Sequence, residues 1–155
     1  MGETMSCAVP STINTRSHEV VRLPVAAIPG SWILLEPFIR KALGFAQGEL
    51  DAGSLLELAC RSKIQVWVIY APEERLVVGV ATTSVEQYPL LSALRVITLG
   101  GEGFSNWWPL LHERLVLFAR TEGCRHIEAV GRKGLGRLVD GFGFKPKYTT
   151  FVKEL

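Results

Sequence analysis

Between the apolar, β-branched run Leu94, Val96, Ile97, Leu99 and a long amphipathic stretch lies Gly100-Gly101-Glu102-Gly103, followed by Phe104, Ser105 and Asn106. A strand that runs into glycines and then into a helix can hold an anion. The glycines let a ligand approach the backbone, and the free N–H groups and dipole of the helix N-terminus favour negative charge. The ligand expected at such a turn is a pyrophosphate. A lone glycine-rich turn is weak evidence, and a tight strand-to-helix connection without a ligand accounts for the same residues.

A second group with chemical potential is Cys124, His126 and Glu128. Alternate residues of a strand share a face, so these three could form a metal cluster or a Cys/His pair, with His112 approaching from the preceding helix. No fourth ligand is evident, and a buried thiol beside a hydrogen-bonded histidine is the plainer reading, so no metal is assigned. Trp107 and Trp108 are adjacent, and only Trp108 falls on the apolar stripe of its helix; Trp107 is expected to line a cleft or a partner surface unless both simply pack. Arg132, Lys133 and Arg137 make a basic cluster or a solvated basic face.

The elements that must position these residues follow from periodicity. The apolar positions Trp108, Leu111, Leu115, Phe118 and Ala119 mark a helix closed by Gly123. Its cap is expected at Ser105 or Asn106, and its start just before Pro109, because proline suits the first turn. Upstream, Glu19 to Val25 reads as a short strand, with Pro24 placing it at a sheet edge or marking its end. Gly30 to Ala46 reads as a helix that either starts near Glu36 or kinks at Pro37. Asp51 to Ser62 is a second helix, with Asp51 as a possible cap and Ser54 and Glu57 at capping-box spacing. Ile64 to Tyr70 and Leu76 to Gln87 form a hairpin, and Ala93 to Leu99 is the next strand. Downstream come a strand at His126 to Val130, a weak helix at Lys133 to Phe142 and a final strand at Tyr148 to Lys153. The order is β-α-α-β-β-β-α-β-α-β. The strand–helix–strand unit over residues 93 to 130 makes those two strands parallel neighbours, so the fold class is α/β, with a mixed central sheet between helical layers.

Composition limits the functional classes. The chain has 155 residues, 48% hydrophobic and 21% charged, with a net charge of +2. This predicts one globular domain at residues 18 to 155 behind a flexible arm at 1 to 17, with no electrostatic case for nucleic acid or a membrane. Three scattered cysteines, Cys7, Cys60 and Cys124, argue for a reducing, cytoplasmic compartment.

The element order and the glycine turn resemble the GNAT superfamily of acyl-CoA-dependent N-acetyltransferases, over residues 19 to 155. The phrases QVWV (Gln65 to Val68), TTSVEQYP (Thr82 to Pro89), LGGEGFSNWWPLL (Leu99 to Leu111) and GRKGLGRLVDGFGF (Gly131 to Phe144) look closer to a short branch encoded by tailed bacteriophages. Some members of that branch are described as GNAT-like and others as internal virion or assembly proteins. The resemblance implies acetyl-CoA in a cleft beside the strand at 93 to 99, and an amine acceptor that is a small molecule or a protein. The implied cofactor contacts are Ile97, Leu99, Gly100, Gly101, Glu102, Gly103, Phe104, Ser105, Asn106 and Arg132. In the family's phosphate motif, Gly103 takes the first glycine position, Ser105 the Gly/Ala position and Gly100 the Gln/Arg position, while Glu102 adds a carboxylate. The family's usual acid, a tyrosine four residues before a Gly-Phe pair, is Val139 here, before Gly143-Phe144.

Acetyl transfer requires a base for the amine, and Glu86 and Glu128 are the candidates, Glu86 first because its strand end should border the acceptor cleft. A backbone N–H of Ile97 or Leu99 is the expected oxyanion donor. The competing reading is a catalytically inactive bacteriophage chain that uses the fold in virion assembly or to bind a host protein, in the host cytoplasm or the virion.

Overall fold

In a computed structural model, residues 17–44, 48–131 and 140–155 are described. Strand β1 (Glu19–Arg22) leads through a 3₁₀ turn (Val25–Ala27) into α1 (Ile28–Leu43) and α2 (Ala52–Cys60). Then come β2 (Gln65–Ala71), β3 (Leu76–Gln87), β4 (Ser92–Gly101), α3 (Phe104–Thr121) and β5 (His126–Ala129). The five strands form one sheet in the order β1-β2-β3-β4-β5. All neighbours are antiparallel except β4 and β5, which pair in parallel across α3.

Side-chain alternation divides the sheet between two cores. Val66 and Val68 of β2 and Val80 of β3 meet Ile28, Trp32, Leu35 and Ile39 of α1 and Leu55 of α2. The intervening residues, Trp67, Ile69 and Ala81, meet Trp107, Trp108, Leu111 and Leu115 of α3. The architecture is therefore an α/β three-layer arrangement around a mixed sheet. Buried polar groups along β3 pair with neighbours, as burial requires: Trp67 Nε1 donates to Thr83 Oγ1 (2.9 Å), and Thr83 Oγ1 donates to Gln65 Oε1 (2.8 Å).

Several boundaries differ from the sequence expectation. β1 stops at Arg22; the Leu23 amide still donates to the Val66 carbonyl, but Pro24 has no N–H with which to continue. Helix α1 begins at Ile28 and runs through Pro37 rather than starting near it. Burial of Ile28, Trp32, Leu35 and Ile39 on one stripe offsets the missing hydrogen bond. The α2 cap is Asp51, whose Oδ1 accepts from the Ser54 amide at 2.7 Å. The Ser54–Glu57 box does not form, and Glu57 instead pairs with Arg61.

The C-terminal part departs most. The expected strand at Tyr148 to Lys153 pairs with no described strand, and residues 145–155 are exposed throughout. The expected helix at Lys133 to Phe142 lies largely outside the described residues, and its last residues belong to a turn. Phe142 and Phe144 nevertheless reach α3, with ring centroids 5.7 and 6.2 Å from Trp108 and 5.0 and 5.9 Å from His112.

Candidate active site

The pairing of β4 changes along its length. Its first half pairs with β5 from Ala93 opposite His126 to Val96 opposite Ala129, where β5 ends. On its other side Thr82 of β3 faces Thr98, and Thr83 faces Val96, so Ile97 is an extra residue. That is a β-bulge, which bends its strand and interrupts the ladder locally before pairing resumes from Thr98 to Gly101. From Ile97 to Gly101, β4 has no partner on its β5 side among the described residues. That side of β4 is therefore unpaired, among the described residues, where the implied contacts Ile97 and Leu99 lie, on the way to α3.

The glycines at the end of β4 serve packing as much as any ligand. Gly100 and Gly101 belong to the strand, opposite Val80 and Gly79, and not to the turn. A Cβ on Gly100 would lie 3.0 Å from the Phe38 carbonyl oxygen of α1. At Gly101, with φ +152°, a Cβ would collide with the Val78 carbonyl and come within 2.6 Å of Gly79 Cα. The Glu102 amide is also engaged, donating to Val78 O at 2.9 Å.

The helix N-terminus is what remains for an anion. Gly103, at φ +64°, is the N-cap of α3, so the cap is neither Ser105 nor Asn106, and Pro109 falls inside the helix. The Asn106 amide donates back to Gly103 O at 2.9 Å. The Gly103, Phe104 and Ser105 amides have no acceptor within the helix, as expected of a first turn. Of the implied phosphate contacts, these three amides donate to no acceptor outside the helix among the described residues. Arg132, Lys133, Arg137 and Val139 lie outside the described residues.

Trp107 does not line the cleft. It is fully buried, and its Nε1 donates to Glu102 O at 2.7 Å. Its ring packs over Gly79 and Gly101, where there is no Cβ to obstruct it. The indole thereby braces the turn from below. Trp108 is also buried, stacked 5.3 Å from Phe104, and its Nε1 finds no hydrogen-bond partner among the described residues.

The two candidate carboxylates share a network at the start of β4. Arg95 sits between them, with Nη1 3.8 Å from Glu86 Oε1 and Nη2 2.9 Å from Glu128 Oε1. Glu128 also accepts from the Tyr88 hydroxyl at 2.6 Å and from Arg95 Nε at 3.0 Å, and its other oxygen meets His126 Nε2 at 3.1 Å. Partial burial pushes the Glu128 carboxyl up, but hydrogen bonds from Tyr88, His126 and Arg95 outweigh it and hold it below the usual range. The same bond to Glu128, helped by desolvation, pushes the Tyr88 phenol up. Glu86 is less engaged: its Oε1 accepts from Ser84 Oγ at 2.6 Å. Tyr88 does not match the position of the family's acid and Arg95 carries no motif; cross-strand pairing of Arg95 with Glu128 brings them in.

The Cys124–His126–Glu128 alternation does not assemble. Cys124 precedes β5 and packs on the α3 side, and burial raises its thiol, with Glu122 adding to the effect. His126 and Glu128 belong to the Arg95 network instead. His112 lies among Trp108, Phe142 and Phe144, and burial lowers its imidazole pKa. No group of three or more metal-binding side chains occurs among the described residues. None of the described helices is long and apolar enough to cross a membrane.

No protein-family model and no curated protein matches this sequence. Solved structures do match it. An aminoglycoside acetyltransferase from an uncultured soil metagenomic sample, in complex with sisomicin, superposes with TM-score 0.64 at 16% identity, over 89% of this chain and 96% of that one. A predicted acetyltransferase with acetyl-CoA from Clostridium acetobutylicum gives TM-score 0.64 at 13% identity, over 89% and 96%. A ribosomal-protein-alanine N-acetyltransferase from Brucella melitensis gives 0.66 at 11%, over 90% and 99%. At these identities the likeness establishes the fold, which is that of the GNAT acetyltransferases.

Proposed function

We propose that this chain is an acetyl-CoA-dependent N-acetyltransferase that moves an acetyl group to an amine. The observation that carries the reading is the bulge at Ile97, which opens β4 from β5 on the approach to the uncapped amides of α3. Two structural neighbours add support, since one is described with acetyl-CoA and another with the aminoglycoside sisomicin. Neighbours of this type make a small polyamine or a protein amine the natural acceptor class.

The donor brings an acetyl group activated as a thioester. The pyrophosphate would rest on the Gly103, Phe104 and Ser105 amides, and the carbonyl oxygen would take a hydrogen bond from the Ile97 or Leu99 amide. The amine nitrogen attacks the carbonyl carbon, the C–N bond forms, and the C–S bond then breaks to release thiolate. Glu86 takes the amine proton. Glu128 is too strongly held in its ionised, hydrogen-bonded form to serve as the base, and through Arg95 it positions Glu86 instead. Tyr88 is committed to Glu128, so the leaving thiolate is protonated from water.

The phrases that resemble the bacteriophage branch support a second reading, in which the fold serves virion assembly or host-protein binding without turnover. Glu102 favours it, because its carboxylate belongs to the turn meant for pyrophosphate, where like charges repel. Calorimetric titration with acetyl-CoA separates the two. Micromolar binding that is lost in Gly103→Asp and kept in Gly103→Asn places the donor on this turn, since Asn and Asp both tolerate a left-handed backbone. No heat at millimolar acetyl-CoA overturns the enzyme reading and directs the search to protein partners.

A further inference from the structure

Ser84, Arg95 and Glu128 stand in one row across β3, β4 and β5, Ser84 opposite Arg95 and Arg95 opposite Glu128. Residues directly opposed across strands share a face of the sheet, and so do alternate residues of one strand. Glu86, two residues beyond Ser84, therefore belongs to the same face. The two carboxylates stand at different distances from the guanidinium between them. Glu128 Oε1 lies 2.9 Å from Arg95 Nη2 and 3.0 Å from its Nε, which is a hydrogen-bonded ion pair. Glu86 Oε1 stays 3.8 Å from Nη1, whereas a charge-assisted bond closes to about 2.7–2.9 Å. A second donor accounts for the gap. Ser84 Oγ donates to that same Oε1 at 2.6 Å, and Ser84 is only 8% exposed, so little water competes for its hydroxyl. Glu86 Oε2 receives no hydrogen bond among the described residues.

We infer that Ser84 is a positioning residue for the proposed base: its hydroxyl holds Glu86 Oε1 clear of Arg95 and leaves Oε2 to take the acceptor's proton. The inference rests on the reading of this chain as an acetyltransferase. In the step, the amine N–H breaks and its proton forms an O–H bond at Oε2. The nitrogen pair completes the C–N bond, and sulfur leaves with the C–S pair. The proton on Oε2 then neutralises the hydroxide left when water protonates the thiolate, which restores the carboxylate. A closed bond to Arg95 would work against this, because a carboxylate hydrogen-bonded to a guanidinium is favoured in its charged form and accepts a proton less readily. Nε and Nη2 of Arg95 are already engaged by Glu128 and Tyr88, so without Ser84 the pair that closes is Nη1 with Glu86.

Two measurements test this. Crystal structures of the wild-type chain, Ser84→Ala and Ser84→Thr read the contact without acetyl-CoA. The Arg95–Glu86 separation is expected to shorten by about 1 Å in Ser84→Ala and to stay open in Ser84→Thr, which keeps the hydroxyl. An unchanged separation in Ser84→Ala overturns the proposal. Steady-state assays then use acetyl-CoA with sisomicin, a linear polyamine and an N-terminal alanine peptide as amines. Ser84→Ala is expected to lower kcat about tenfold with KM kept, and Ser84→Thr to restore it. In an Arg95→Gln background, where no guanidinium can close on Glu86, Ser84→Ala should cost less than about threefold. Equal losses in both backgrounds would mark a merely structural role and overturn the proposal. A wild-type chain that acetylates none of these amines overturns the enzymatic reading and this role with it. Turnover that survives Ser84→Ala undiminished overturns this role alone.

Discussion

Thr82 of β3 and Thr98 of β4 join their hydroxyl oxygens across 2.6 Å, and both residues are buried beside the bulge at Ile97. The bond ties β3 to β4 just past the bulge, where β5 no longer pairs, so it fixes the register of the strand end that leads to α3. Removing one partner orphans the other, which costs about 1–3 kcal/mol, whereas removing both is nearly neutral. Thr98→Val is therefore expected to lower the melting temperature, and Thr82→Val with Thr98→Val to restore most of it. Thermal unfolding of the three variants checks this, and additive losses would refute it.

Gly101 and Gly103 lie close in sequence but should respond very unequally. Any side chain at Gly101 meets the Val78 carbonyl and the Gly79 backbone, which cannot yield without breaking β3–β4 pairing. At Gly103 an added Cβ meets only the end of the Asn106 side chain, at 3.2 Å. Gly101→Ala is expected to cost several times more stability than Gly103→Asn, by more than about 1.5 kcal/mol. Chemical denaturation of both variants reads the difference.

The Arg95 network makes stability depend on acid. The folded state holds the Glu128 carboxyl below its ordinary 4.5. It therefore contributes stability at pH values above 4.5, and that contribution disappears as pH falls through the lowered value. Glu128→Gln should reduce the melting temperature near neutrality and flatten its decline below pH 4.5. An unchanged acid limb would show that the network contributes nothing to the fold.

Glu86 and Glu128 are expected to separate kinetically. Glu86→Gln removes the proposed base and should lower kcat by about 10²–10⁴ with little change in KM. Glu128→Gln should leave the base present but mispositioned, with a smaller loss and a shifted pH profile. Equal losses with unshifted profiles would remove the distinction. Steady-state assays across pH with an identified amine decide it.

The element order through β5, much of the apolar stripes of α1 and α3, the β2–β3 hairpin and the parallel β4–β5 pair were legible in the sequence alone. Each is a matter of local period, and side chains at repeat 2 or 3.6 commit one face to a core whatever the rest of the chain does. Only the tertiary structure decided the remainder. Pro37 and Pro109 stand inside helices because burial of their neighbours outweighs a lost hydrogen bond. Gly100 and Gly101 became strand because α1 and β3 press against them from outside the local sequence. Trp107 turned inward because two glycines on neighbouring strands leave room for its ring. Glu128 acquired Arg95 and Tyr88 through pairing across β4 and β5. The segment Tyr148–Lys153 has the composition of a strand, but a strand also needs a neighbour, and among the described residues none is brought to it.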